Sequence, residues 1–377
     1  MLYAFSGIAA VASFVAGTCL AQPLGRPLEF ERVEIQAAPE FDDVFDATPY
    51  YKFVTSDAML VGAFDQPGAN DMLFRQRFDG TGFELAGQME LNSANSLGIA
   101  VGRSRGVSGK VGSISYPGQG VVHLENTAFS SSLLNGVSES GLAVGQALLT
   151  GANSNSPITW DGSDVTVLPL PIDATGGRAL GISPDGHTVV GLVDTNDLDI
   201  HDRRIRRVVT WVDGMLEETG ITQSDSSEVF PLEVSDEGIL LHHINLAGEP
   251  RATVIYDLVL GERLYVDVYP DNVNIINAVG IGSDGTIPVF GAYGSSPDFE
   301  PAGFLGPHGF TLLDDAVPSR PLGVSFTDWE LSSTFLLARE FDGPSWTDVV
   351  YRRVPAPGTA SLIAAAFTVA SRRKRAE

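Results

Sequence analysis

The chain has 377 residues, 44% of them hydrophobic, and a formal net charge of -24 from 47 acidic and 23 basic side chains. The apolar share supports a sizeable core and excludes a disordered chain. The negative field repels phosphate backbones and excludes a nucleic-acid partner. Gly at 41 and Pro at 22 predict many turns, and lysine is confined to Lys52, Lys110 and Lys374.

Residues 1–21 read as a cleaved secretory leader. Leu2 to Leu20 carries no charged side chain, Ile8–Val15 has the length of a hydrophobic signal core, and Cys19-Leu20-Ala21 places small residues before Gln22. Cleavage there removes Cys19, the only cysteine, so the mature chain relies on burial and backbone pairing and has no disulfide. The next strand-like segment is Leu28–Ile35.

From residue 54 onward one pattern recurs: small and apolar residues, then Ser-x-Asp-Gly or a variant, then an apolar run ending in Val-Gly. The clearest copies are Ala179–Gly191 and Asn135–Gly145, with others at Asn95–Gly102, Val234–Ile239 and Ala278–Gly285 and a worn one at Val54–Gly62. The turn falls at 58, 98, 141, 186, 238 and 285, at intervals of 40, 43, 45, 52 and 47 residues. Each copy has a second half in which apolar runs flank a turn, as in Ile158–Val167 around Asp161-Gly162 and Val208–Leu216 around Asp213-Gly214. Asp-Gly between apolar runs is a strong hairpin signal. Two hairpins make four short strands per repeat, the size and strand count of a β-propeller blade. The fold expected is therefore all-β, a propeller of six or seven four-stranded blades, with seven favoured; a β-solenoid or two stacked β-sandwiches are the alternatives. Gly323–Arg353 supplies a degenerate seventh unit, and Leu28–Ile35 is placed to complete it and close the ring, removing unpaired strand edges.

The repeat resembles the HAF-type extracellular repeats, in which a Gly-Ile-Asn/Ser-x-Asp-Gly-x-Val-Val-Gly half precedes an Ala/Phe-x-Trp half. The first half matches at 179–191 and 135–145 and the second at Trp160 and Trp211. The resemblance spans about residues 50–315 and implies a secreted β-repeat protein with no assigned chemistry. Because Trp160 and Trp211 recur in phase, they are expected in the blade core rather than on a sugar-stacking face.

Candidate sites are few. Asp194, Asp197, Asp199 and Asp202 crowd one loop with Asn196 and His201, an oxygen-rich set that suits Ca²⁺. Arg203, Arg204, Arg206 and Arg207 follow, so the alternative is a loop that neutralises itself. His242-His243 replaces Val-Gly in its copy; neighbours on a strand face opposite sides, so the two rings cannot share a ligand. One of them is a candidate for the central channel. No nucleophile elbow, His-Glu-x-x-His, phosphate loop or zinc cysteine pattern is present. Adjacent carboxylates such as Asp42-Asp43, Glu217-Glu218 and Asp314-Asp315 do not supply the facing pair a glycosidase needs. No catalytic and no cofactor-binding residue is assigned.

The last segment joins Pro355-Ala356-Pro357-Gly358, an apolar run over Leu362–Ala370 and the cluster Arg372-Arg373-Lys374-Arg375. The apolar run is shorter than a full span, and the basic cluster would stay cytoplasmic. This resembles the PEP-CTERM sorting signal, with Ala356 where that motif has Glu. The resemblance implies transient anchoring at an inner membrane, processing by an exosortase-type enzyme and a final place at the cell surface or outside the cell. The combined expectation is a non-enzymatic surface or matrix protein, its propeller faces binding polysaccharide or another protein. The alternative is a propeller hydrolase or lyase acting on extracellular polysaccharide.

Overall fold

In the computed structural model, the turn residues Ala58, Gly98, Gly141, Gly186 and Gly238 have φ of 68°, 76°, 86°, 85° and 77°. Glycine takes this left-handed region without strain. The residue three positions earlier holds the turn from its side chain. Thr55, Asn95, Ser138 and Ser183 accept hydrogen bonds from the backbone N–H groups of Met59, Ile99, Leu142 and Thr188 at 2.9, 2.9, 3.1 and 3.0 Å. All four are buried. The Ser and the Gly of the repeat signature are thus the two halves of one turn.

The structure describes residues 30–36, 49–55, 57–64, 71–106, 109–198, 202, 204–224, 233–236, 238–244, 252–258, 262–264, 273–278, 286–293, 299–306, 309–312, 316, 325–331, 335–341 and 346–353. The expected leader, the turn at 285 and the tail from 354 lie outside them.

The first strand, β1 (Phe30–Val33), belongs to the last sheet. Blade 1 is β2 (Pro49–Val54), β3 (Met59–Phe64), β4 (Met72–Arg77) and β5 (Glu84–Gln88). Blade 2 is β6 (Glu90–Ala94), β7 (Ala100–Gly106), β8 (Gly109–Ser115) and β9 (Val121–His123). Blade 3 is β10 (Phe129–Val137), β11 (Ala143–Leu149), β12 (Asn155–Trp160) and β13 (Val165–Val167). Blade 4 is β14 (Gly176–Ile182), β15 (Thr188–Leu198), β16 (Arg204–Val212) and β17 (Met215–Ser224). Blade 5 is β18 (Glu233–Val234), β19 (Ile239–Ile244), β20 (Ala252–Asp257) and β21 (Glu262–Leu264). Blade 6 is β22 (Val273–Ala278), β23 (Ile287–Tyr293), β24 (Phe299–Gly306) and β25 (Gly309–Leu312). Blade 7 is β26 (Ser325–Leu331), β27 (Phe335–Phe341) and β28 (Trp346–Arg353), completed by β1.

Every neighbouring pair within a sheet is antiparallel, and each blade packs on the next, with blade 7 returning to blade 1 through β2 against β26 and β27. The described chain is a seven-bladed β-propeller. Its closure is the one expected from Leu28–Ile35: β1 pairs with β28, from Phe30 opposite Arg353 to Val33 opposite Val350.

The core lies between blades. Val101, Ile114, Leu134, Ile158 and Trp160 pack where blade 2 meets blade 3. Val144, Ala179, Val193, Val209 and Trp211 repeat the arrangement between blades 3 and 4. Trp160 and Trp211 are 3% and 0% exposed, as their in-phase recurrence predicted. At the closure, the Phe78 and Phe335 rings meet edge-on at 5.0 Å.

The first strands of blades 1, 2, 3, 4, 6 and 7 each carry a β-bulge. The glycine of the Val-Gly signature sits across from the bulge in blades 1 to 4. A Cβ at Gly102 or Gly145 would stand 1.9 or 2.0 Å from the carbonyl oxygen of Glu90 or Leu133. Only glycine permits the two strands that approach.

Candidate functional site

The first strands of adjacent blades meet from β6 to β10, β14 and β18, and again from β26 to β2, so they line the inner ring. In blades 1 to 3 the extra residue of the bulge is polar, and it reaches the next blade. Lys52 Nζ donates to the Leu91 carbonyl at 2.9 Å, Asn92 Nδ2 to the Leu134 carbonyl at 2.8 Å, and Asn135 Nδ2 to the Ala179 carbonyl at 2.8 Å. A bulge leaves a backbone group without its ladder partner, and here the preceding blade supplies a donor. In blade 4 the bulge residue is Leu180, which packs against Val190, Leu192 and Val208 instead. This belt has structural work and offers no free acid–base pair among the described residues of blades 1 to 3. On the same strands, Glu90 is held by Arg103 through Nη2 to Oε1 at 2.7 Å and Nε to Oε2 at 2.5 Å.

A cleft of about 170 Å³ opens between blades 2 and 3. Its lining includes Arg103, Lys110, Ser131, Ser132, Gln146 and Asn155. The β7–β8 hairpin positions the cations. Val101 and Ile114 point into the core shared with blade 3, so by strand alternation Arg103, Arg105 and Lys110 point the same way. Arg105 and Lys110 are directly opposite in the ladder, an arrangement of like charges that destabilises a hairpin. On the blade 3 side, Ser132 Oγ accepts the Gly112 N–H at 2.7 Å. Gln146 has a buried Oε1 with no hydrogen-bond partner.

A second cleft, of about 470 Å³, lies between blades 4 and 5 and is lined by Thr188, Thr210, Glu217, Glu218, Thr219 and Asp257 among others. Glu218 is engaged on one side by Arg207 Nη1 at 3.2 Å, while Arg207 Nη2 holds Asp173 at 2.5 Å. The Arg207 hydrogen bond keeps the Asp173 carboxyl below its ordinary range, and Asp173 raises the guanidinium in return.

The expected calcium loop is in part strand: Asp194 and Asp197 lie on β15, and Asp202 lies at the tip of the β15–β16 hairpin. Asp194 is bound by Arg206 Nε at 2.9 Å, across the ladder. The Asp197 N–H donates to Thr195 Oγ1 at 3.2 Å, and Asp202 is exposed in left-handed conformation with φ of 57°. Asp199 lies outside the described residues. Among the described residues, no group of three or more His, Cys, Asp or Glu is placed to hold a metal ion. His242 and His243 stand on β19 opposite Val254 and Thr253. Pro355, Ala356, Pro357, Gly358, Arg372, Arg373, Lys374 and Arg375 lie outside the described residues.

At the opposite end of β15 and β16 from that tip, His187 Nδ1 and Asp213 Oδ1 are 2.7 Å apart and both exposed. The Asp213 N–H also donates to the His187 carbonyl at 2.9 Å, clasping the two turns at one end of blade 4. The Asp213 carboxylate raises the His187 imidazole above its ordinary value.

Sequence reading missed the cleft between blades 2 and 3, because no local motif marks it. The available signal was scarcity: in a chain with three lysines, Lys110 stands near Arg103 and Arg105.

The chain is similar to several solved structures. A puromycin hydrolase superposes with a TM-score of 0.52 and 13% identity over 85% of this chain, which spans 54% of that protein. The β-propeller domain of the trilobed protease from Pyrococcus furiosus, described as having an open velcro topology, superposes with a TM-score of 0.49 and 10% identity over 80% of this chain and 97% of that one. An oligogalacturonate lyase in complex with manganese does so at 0.39 and 10%, over 88% and 97%. At 13% identity, the likeness to the puromycin hydrolase is one of fold. No protein-family model and no curated protein matches the chain.

Proposed function

We propose that this propeller is an exported, non-enzymatic protein of the cell surface or extracellular matrix that binds polysaccharide or another protein through its faces. The observation that carries the reading is the inner belt. Lys52, Asn92 and Asn135 reach neighbouring carbonyls, and Glu90 is locked to Arg103. Lys52, Asn92 and Asn135, which a channel enzyme would aim at a substrate, instead tie each blade to the next. Export rests on the leader at 1–21. Surface placement rests on the Pro355-Ala356-Pro357-Gly358 break and the basic cluster Arg372–Arg375, processed by an exosortase-type enzyme.

One observation favours the alternative, an extracellular polysaccharide hydrolase or lyase: the larger cleft brings Glu217 and Asp257 together from two blades. The two readings separate in one experiment. The purified chain is incubated with a panel of neutral and acidic polysaccharides, following both retention on the polymer and release of reducing or unsaturated ends. Retention without new ends is expected. Chain cleavage abolished by Glu217→Gln would overturn the non-enzymatic reading. For the tail, mass spectrometry of the mature protein should show a chain ending before Arg372; a mature chain that keeps Arg372–Arg375 sinks the sorting proposal.

A further inference from the structure

We infer that the cleft between blades 2 and 3 binds a carboxylate-bearing sugar unit of an acidic polysaccharide, with Lys110 as its charge partner. The inference rests on the polysaccharide-binding reading above and narrows it to one ligand class and one place.

Four observations converge. The first is charge. In a chain of net -24, the face of β7–β8 turned toward blade 3 carries Arg103, Arg105 and Lys110, and the carboxylate that engages this group is Glu90, on Arg103. Arg103 is spent on that bidentate pair, which fixes it in the wall of the cleft. Lys110 is exposed and makes no ion pair among the described residues. The second is the ladder. Arg105 and Lys110 oppose each other directly, so the hairpin carries a repulsion that a bound anion relieves.

The third is Gln146. A buried amide oxygen without a donor is unfavourable in the free protein. A hydroxyl-rich ligand supplies a donor beside its carboxylate, which a bare anion does not. Ser131 and Asn155 in the same lining add short polar groups of the kind that orient sugar hydroxyls. The fourth is size. At about 170 Å³ the cleft is below the roughly 300–1,000 Å³ of sites that enclose a free small molecule. It suits one unit of a chain that continues along the surface.

Sign also matters. The whole molecule repels an anionic polymer, whereas the cleft attracts it locally. At physiological ionic strength screening acts over roughly 8 Å, so the contact charges at Lys110 outweigh the distant acidic surface once the polymer is seated. An acidic polypeptide offers carboxylates too, without the adjacent hydroxyls, and serves as the competing ligand in the test.

The experiment uses the full chain at about 150 mM salt and compares polygalacturonate, the same polymer with its carboxyls reduced, dextran and polyglutamate, by affinity electrophoresis and calorimetry. Polygalacturonate should bind and the other three should bind at least about tenfold more weakly. Lys110→Glu should lose at least about tenfold in affinity for polygalacturonate, and Lys110→Arg should retain it. Gln146→Leu should weaken binding without lowering the melting temperature, a combination that a purely structural glutamine does not give. Equal binding of the reduced polymer or of polyglutamate, or unchanged binding by Lys110→Glu, overturns the inference. If dextran and polygalacturonate bind alike and Lys110→Glu changes neither, polysaccharide binding stands and this site falls. If no polymer in the panel binds, both fall.

Discussion

Arg75, on the third strand of blade 1, donates from Nη2 to the carbonyl oxygen of Ser115, on the third strand of blade 2, at 2.8 Å. The same guanidinium reaches Ser115 Oγ at 3.1 Å and, from Nε, the Gly98 carbonyl at 2.8 Å. It is 1% exposed and has Glu84 at 3.3 Å as its counter-ion. Burial lowers its pKa, and Glu84 opposes that shift. One side chain therefore ties two blades through their backbones.

Removing Arg75 should be among the most damaging single changes in the ring. Arg75→Ala removes the guanidinium from two buried carbonyls and the counter-ion from Glu84, a loss of about 3–5 kcal/mol. Arg75→Lys should recover little, because an ammonium cannot fork between Gly98 and Ser115 as a guanidinium does. Urea denaturation of both variants is the check. A lysine variant as stable as the parent would show that charge, not the fork, is what matters.

Gly145 and Gly151 separate two reasons for glycine. Gly145→Ala drives a methyl to within 2.0 Å of the Leu133 carbonyl oxygen and 2.8 Å of the Leu134 Cα, both backbone atoms, and should destabilise by about 3 kcal/mol or more. Gly151 has φ of 84° with open space around it, so Gly151→Ala should cost only about 1–2 kcal/mol of backbone strain. Comparable losses in thermal melts would contradict the close approach at the bulge.

Asn95 does two jobs that can be split. Its Oδ1 holds its own turn through the Leu97 and Ile99 N–H groups, at 3.0 and 2.9 Å. Its Nδ2 donates to the Ser138 carbonyl of the next blade at 2.7 Å. Asn95→Ala should cost about 2–3 kcal/mol, from about 1 kcal/mol per lost bond plus exposure of the orphaned groups. Asn95→Ser should recover roughly half, since blade 3 uses Ser138 for the same turn. Serine and alanine variants of equal stability would dismiss the turn contribution.

The His187–Asp213 pair should be visible in a titration. Asp213 raises the imidazole, so the charged form is favoured in the fold. The attraction is fully present below the ordinary value of 6.5 and is lost as pH rises through the raised one. An NMR titration of His187 should give a midpoint above 6.5, and Asp213→Asn should return it toward 6.5. A midpoint at 6.5 in the parent would dismiss the contact. Both groups are open to solvent, so global stability should change little across this range.

Much of the fold was readable because the repeat writes its turns in residue types with a single use. Ser183 and Gly186 are a cap and a left-handed position, and the same pair is recognisable at Ser138 and Gly141. Blade 7 was readable only as strands, since Trp329 and Phe335 carry no turn signature. The bulges were not readable. Lys52, Asn92 and Asn135 share no residue type, and their common role appears only when the next blade stands beside them. The candidate cleft was hidden for the same reason: Lys110 and Gln146 are 36 positions apart and meet across two blades.

The pairing of Phe30 with Arg353 joins the first described strand to the last. During synthesis, β1 emerges before any of its partners and must wait for some 300 residues to follow. Loop-closure entropy grows only logarithmically with that span, so the delay costs time more than stability. Six blades can pair their strands locally as they are made, whereas the seventh completes only when the chain is whole. A chain clipped after β1 leaves β28 with an open edge, and a stalled one leaves β1 unpaired; quality control or a second molecule can recognise either.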